Sequence, residues 1–329
     1  MVRKFQATAN VRLRVESQNM GQPGGILLAG THSNRESSSM KSKFRLCYFV
    51  ALSMLVWPAA LAFAQAPDTQ SQEEHFARTF ALAPAGTLVV ENYKGSIHIE
   101  GTSDNQVVVN VEKTFEGSDA DRKWWMASTR VNFENDPGKV RVRVEYPVIR
   151  CDSGCGENEH SDYSAAVELT IRVPRRTNLD LTGHKPDMKI SGTEGDIRIN
   201  SHKSPIEIVS TTGGISIETN KETVHLRDVT LRGPLKLNME KGEAVIEAKS
   251  LGNEVNIETG KGSVVLRVPA NTGFAVDYEG GRRSRFHSDL PITSDAGYRS
   301  SELRGTINGG GTRLRVRTEK GSISIETLR

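Results

Sequence analysis

From Leu179 onward, apolar residues come in pairs two positions apart, and each pair starts nine residues after the last. The pairs are Leu179/Leu181, Met188/Ile190, Ile197/Ile199, Ile206/Ile208, Ile215/Ile217 and Val224/Leu226. The series runs on through Leu235/Leu237, Ala244/Ile246, Val255/Ile257, Val264/Leu266 and Phe274/Val276 in steps of nine to eleven. A spacing of two within each pair marks a short strand with one buried face. Arg198, Glu207, Ser216, His225, Lys236 and Asn256 alternate with the apolar residues and face outward. Strands at such even, short intervals form a repeat, whereas a sandwich spaces its strands less regularly.

The corners set the size of one repeat. Lys185, Lys203, Lys221, Lys241 and Lys261 recur at steps of 18 to 20 residues. On the other corner Gly195, Gly213, Gly233 and Gly273 recur, with Gly252 near the gap. Two strands and two corners therefore make one coil, and the sequence predicts an all-β β-solenoid with two short strands per 18–20-residue coil. Coils stack about 4.8 Å apart. The glycines are expected at positive φ, and the lysines are expected to project in line from one edge.

The same grammar holds at both ends, in Leu88/Val90, Ile97/Ile99, Val107/Val109/Val111, Leu314/Val316 and Ile323/Ile325. Four segments share a Lys-Gly corner followed by an alternating run: NYKGSIHIEG (92–101), MEKGEAVIEA (239–248), TGKGSVVLRV (259–268) and TEKGSISIET (318–327). One stretch interrupts the pattern, an insertion over 113–165. GSDADRKWWMASTR (117–130) predicts a short helix with Ser118 as N-cap and acids in its first turn. VNFENDPGKVRVRVEY (131–146) predicts a hairpin about Asn135-Asp136-Pro137-Gly138. Together they are expected to cap an open end of the stack, with Trp124 and Trp125 packing the helix against it.

Ahead of the repeat lies a leader. Lys41, Lys43 and Arg45 precede an apolar run from Leu46 to Ala64 that ends in Ala62-Phe63-Ala64. This is the pattern of a secretory signal peptide, assigned to residues 40–64. An uncleaved N-terminal anchor is the alternative, since the run is long enough to span a bilayer. Residues 1–39 are polar and aperiodic and are read as a non-native or disordered extension. Residues 65–82 are read as a linker, and 83–329 as the solenoid domain.

The chain carries a formal charge of +3, while residues 1–64 alone hold eight Lys/Arg and two Asp/Glu, +6. The remainder is thus −3, and nothing in its charge balance points to nucleic acid. Cys151 and Cys155 remain beyond the leader in RCDSGCGENEH. In an exported chain this pair is expected to form a local disulfide; a metal site using Cys151, Cys155 and His160 is the alternative, without an evident fourth ligand.

The order of segments resembles a known family. VENYKGSIHIEGTSDNQVVVNVEK, a run ending in Val173-Pro174, the Gly-x-Ile-x-Ile repeats, SDLPI (288–292) and GTINGGGTRLRVRTEKGSISIE are similar to the bacterial "putative adhesin" family and akin to head-domain adhesin repeats. The resemblance covers about 83–329. It implies a β-solenoid in exported envelope proteins and supplies no catalytic residues.

Chemical motifs are sparse. TGKGS (259–263) lacks the first glycine and following helix of a phosphate-binding loop. The corners lack the Gly-Gly-x-Gly-x-Asp pattern of calcium-binding rolls. No cofactor, catalytic residue or metal ligand set is predicted. His184 and His202, one coil apart, are expected to stack on a corner. GRRSRF (281–286) is the densest basic patch, with no paired carboxylate placed beside it by the repeat. The resulting expectation is a non-enzymatic exported protein of the periplasm, cell surface or extracellular space that binds or scaffolds there, its partner left open between an anionic envelope polymer, lipid headgroups and another envelope protein. The lysine corner is read either as a solvated edge, offset by Glu194, Glu240 and Glu243, or as a polyanion-binding site. A carbohydrate-active β-helix enzyme and a membrane-anchored envelope-stress or regulatory protein are the alternatives.

Overall fold

A computed structural model of the chain describes residues 74–117, 119–147, 164–294 and 301–328. The leader, Ser118, Cys151, Cys155 and His160 lie outside the described residues. Among the described residues, twenty strands and one helix follow in order. The first part comprises β1 (Glu74–Ala81), β2 (Thr87–Thr102), β3 (Gln106–Glu116), α1 (Asp119–Ser128), β4 (Arg130–Asp136), β5 (Lys139–Glu145) and β6 (Ser164–Pro174). The middle comprises β7 (Asn178–Ser191), β8 (Ile197–Lys203), β9 (Ile206–Val209), β10 (Thr212–Lys221), β11 (Thr223–Met239), β12 (Glu243–Ser250), β13 (Glu254–Thr259) and β14 (Ser263–Val268). The last part comprises β15 (Phe274–Gly280), β16 (Arg285–Ser288), β17 (Ile292–Ser294), β18 (Glu302–Ile307), β19 (Thr312–Thr318) and β20 (Ser322–Thr327).

The pairings trace two ladders. One runs β4-β5-β2-β7-β8-β10-β11-β13-β19-β15-β18-β17. The other runs β1-β3-β6-β2-β7-β9-β11-β12-β14-β20-β16. Between β5 or β6 and the β19 and β20 coil every neighbour is parallel, so Ile197 lies over Leu179 and Ile215 over Ile197, and the register shifts only where β11 meets β10 after Gly213 and β12 after Leu226. β2 and β7 turn through the lysine-bearing corner and β11 through the opposite one, so each belongs to both ladders.

The core lies between the ladders. Ile199, Ile208, Ile217, Leu226, Leu237 and Ile257 are all buried, as their spacing predicts. Each ladder adds one apolar pair per coil, and stacking hides that pair from water above and below as well as from the side.

The ends depart from chain order. The C-terminal coil, β19 and β20, sits between the coil of β13 and β14 and that of β15 and β16. The first coil, β2, sits between β7 and the strands β5 and β6. The end coils are thus drawn from within the sequence. Residues 74–81, read from the sequence as linker, form β1 instead, antiparallel to β3. Its Phe76 and Phe80 meet Phe133 of β4, at ring-centroid distances of 6.3 and 5.4 Å. Aromatic side chains replace the branched aliphatics there, so the strand escapes the period of the repeat.

α1 forms as expected, with Asp119 and Asp121 in its first turn favoured by the helix dipole. Only one of its tryptophans packs inward. Trp125 is 4% exposed and meets Phe115 and Tyr146, whereas Trp124 is 45% exposed. Adjacent helical positions point about 100° apart, so both cannot face the strands.

The glycine corner corrects a third expectation. Of Gly195, Gly213, Gly233, Gly252 and Gly273, only Gly213 has positive φ, at 152°. The common requirement is axial closeness. A Cβ on Gly195 would collide with the carbonyl of Thr177, and one on Gly213 with the carbonyl of Gly195. A side chain there would have to occupy the next coil.

Candidate anion-binding corner

The corner where β2 and β7 turn carries three columns of residues, each repeated coil by coil. The basic column begins with Lys94, which lies opposite Lys185. Lys203 lies opposite Lys221, and the step of 18 between β7 and β8 places Lys185 over Lys203. Lys241 N–H donates to Asn220 O, Lys261 N–H to Glu240 O and Lys320 N–H to Gly260 O, so the parallel register carries the column onward. All five predicted lysines are therefore brought into line, and Lys94 and Lys320 join them. Lys185, Lys221, Lys261 and Lys320 are exposed and the other three half-buried. The interval of 18–20 hid the two added lysines, because their coils are neighbours in space and not in sequence. The shared Lys-Gly corner was the signal that could have found them. Where glycine follows the lysine, as at Gly95, the axial crowding seen above recurs, since a Cβ there would meet the carbonyl of Val167, and at Gly95 the backbone is also at positive φ, 114°.

One position before each lysine, the second column reads Tyr93, His184, His202, Asn220, Glu240, Gly260 and Glu319. Tyr93 and His184 stack with centroids 4.8 Å apart, and His184 and His202 stack at 4.7 Å. Asn220 Nδ2 lies 2.8 Å from His202 Nδ1. The stacking expected of the two histidines is present, and it extends to Tyr93. Burial first, then His202, Lys185 and Lys203, hold the His184 imidazole below its usual range. Behind Tyr93, the one hydroxyl proton of Tyr146 is shared between two acceptors, Asn92 Oδ1 at 2.7 Å and Lys94 O at 2.6 Å. Burial pushes that phenol upward, so it stays neutral.

The third column is the outer row of the first ladder. It runs Thr182, Asn200, Glu218, Asn238, Glu258, Arg317, Glu279 and Glu302. Between it and the second column lies a cleft of about 810 Å³, lined by Glu218, Glu240, Glu258, Glu279, Glu302 and Glu319. Arg317 pairs with Glu279 at 3.1 Å. The cleft also reaches Gly281, the first residue of GRRSRF. The sequence placed no carboxylates beside that patch; the register of the C-terminal coil does so. Among the described residues no His, Cys, Asp and Glu cluster is able to hold a metal ion.

The fold and corner define a class: an all-β protein of stacked parallel repeats whose polar chemistry is spread along an edge. The chain belongs to the Toastrack DUF4097 family, whose model matches residues 83–326. No curated protein matches it. Solved structures with a similar trace include a "putative cell adhesion protein" of Clostridium sporogenes, at 13% identity and a TM-score of 0.33, covering 78% of this chain and 100% of that one. A "putative adhesin" of Bacteroides fragilis shows 12% identity and a TM-score of 0.23, covering 78% and 97%. A "putative lipid binding protein" of Parabacteroides distasonis shows 7% identity and a TM-score of 0.25, covering 79% and 98%. Likenesses this distant carry no argument about what the chain binds.

Proposed function

We propose that this chain is a non-enzymatic exported protein of the cell envelope or surface, built as a β-solenoid, that binds a repeating anion along its lysine corner. The carrying observation is the in-register column from Lys94 to Lys320. Coils about 4.8 Å apart hold these charges closer together than the Debye length of about 8 Å at physiological salt. Such a column acts on a polyanion as one line of charge. Export is supported by the leader pattern at 40–64, and Cys151 and Cys155 then form a local disulfide. Among the described residues no helix is long and apolar enough to cross a membrane. Mass spectrometry of the exported chain tests both points: a mature N-terminus near Gln65, and a gain of two hydrogens on reduction.

The binding test is retention on an anionic matrix at low salt. Changing Lys185, Lys203 and Lys221 to Gln should remove most of the retention while leaving the melting temperature nearly unchanged, because charges on a solvent-facing corner contribute little to stability. Equal retention of the triple variant and the parent would reject the reading.

A second reading, a carbohydrate-active enzyme, is favoured by one observation, the glutamate-lined cleft. Glycoside cleavage needs two carboxylates about 5–9 Å apart. Release of new reducing ends from an acidic polysaccharide, abolished by Glu258→Gln, would establish it.

A further inference from the structure

We propose that the anion docks on the Tyr93-to-Asn220 half of the corner, that it is a linear acidic polysaccharide, and that His184 makes its docking proton-linked. This rests on the anion-binding reading above. The two halves of the corner differ in sign. Beside Lys94, Lys185, Lys203 and Lys221 the second column holds Tyr93, His184, His202 and Asn220, with no carboxylate among them. Beside Lys241 and Lys320 it holds Glu240 and Glu319, and Lys241 pairs with Glu240 at 3.5 Å. The glutamate-lined cleft starts at Glu218 and Asn220, where the two halves meet, and runs along the far half through Glu240, Glu258 and Glu319. A polyanion is drawn to the first half and repelled from the second.

The shape favours a chain over a membrane. The cations stand in single file along an edge, where a bilayer would meet a flat basic face. Tyr93, 43% exposed, is the one large exposed apolar side chain on this corner among the described residues. A tyrosine face, imidazole edges and the Asn220 amide are groups suited to hydroxyl-bearing sugar rings.

The proton linkage follows from what surrounds the stacked pair. His184 lies between Tyr93 and His202, with Lys94, Lys185 and Lys203 in the adjoining column and Lys221 one coil on. Thr182 and Asn200, two positions back on the outer row, are uncharged. The acids on the packed elements are Asp187 past the corner on β7, Glu91 on β2, Glu145 on β5, Glu218 next to Asn200 in the outer row, and Glu222 after Lys221. Partial burial, then His202, Lys185 and Lys203, oppose a proton on His184 in the free protein. A polyanion laid over the column cancels those cations and favours the proton. Linkage is reciprocal, so acid must strengthen binding by the amount that binding favours protonation.

The test measures binding of the full chain to alginate, at low salt, at about pH 7.5 and about pH 5, the range in which histidine changes charge. Alginate affinity should rise about fivefold or more on acidification, the usual lower bound for a coupling of this kind. His184→Gln should bind as the parent does at the higher pH and lose the gain. Lys185→Gln with Lys203→Gln and Lys221→Gln should lose binding at both pH values. Lys241→Gln with Lys261→Gln and Lys320→Gln should keep it. A pH-independent parent, or a His184→Gln variant that retains the gain, would overturn the linkage. Equal loss in the two lysine triples would overturn the location. Binding to phosphatidylglycerol vesicles without binding to alginate would overturn the polysaccharide. A parent that binds neither at any pH would instead reject the anion-binding reading itself. Circular dichroism of each variant shows whether loss of binding is loss of fold.

Discussion

The imidazole of His184 lies face to face with that of His202, centroids 4.7 Å apart and planes 12° from parallel, although one coil of chain separates the two residues. The relationship exists because β7 and β8 pair in parallel with a constant register, Gly183 opposite Ser201 just before the two rings. A constant register turns one sequence interval into one spatial column, and whatever recurs at that interval becomes a continuous surface.

The stack has a pH signature even without ligand. His184 titrates lower in the folded chain than in the unfolded one, through burial and its cationic neighbours. As pH falls below about 6.5, the unfolded chain takes up that proton first. Stability therefore falls between the unfolded and the depressed folded value, and the loss is complete below both. His184→Asn should flatten this part of a stability profile, measured by denaturant melts at successive pH values. An unchanged slope would mean that the ring is not held as described.

Ile217 is 1% exposed in the middle of the apolar ladder, over Ile199 and beneath Leu237. Ile217→Asp buries a charge with no partner and should cost about 4 kcal/mol or more. For a domain of this size that lowers the melting temperature by roughly 10 °C. A variant melting within a degree or two of the parent would contradict the inward assignment.

The two adjacent tryptophans of α1 should behave oppositely. Trp125→Ala removes a ring packed on Phe115 and Tyr146 and should cost about 3–5 kcal/mol. Trp124→Ala, at an exposed position, should stay within about 0.5 kcal/mol of the parent. Chemical denaturation of both variants separates the two cases.

Glu222 stands where other coils place the glycine after the corner lysine. Its φ is 108°, against 114° at Gly95 and 125° at Gly242. A side chain strains this backbone and glycine does not. Glu222→Gly should raise stability by about 1 kcal/mol, read as a higher denaturation midpoint at unchanged slope. A lower midpoint would show that the carboxylate is worth more than the strain it carries.

Much of this protein was legible in its sequence because repeat geometry is local. Alternation by two marks a buried strand face and a nine-residue step marks the next strand, so the inward set from Leu179 to Val276 could be named residue by residue. The lysine column followed from its interval, as did the histidine stack. Tertiary structure alone decided which coils are neighbours. The C-terminal coil enters between the coils of β13 and β14 and of β15 and β16, and the first coil lies inside β5 and β6. No interval along the chain encodes that order, because strand pairing depends on backbone hydrogen bonds that any coil can offer to any other. Hence Lys94 and Lys320 join the column, and Glu279, Glu302 and Glu319 meet Glu218 and Glu258 in one cleft, only after folding. The corner glycines make the same point at atomic scale. Their places were readable from the repeat, but the reason for them, a neighbouring backbone within reach of any Cβ, exists only once the coils are stacked.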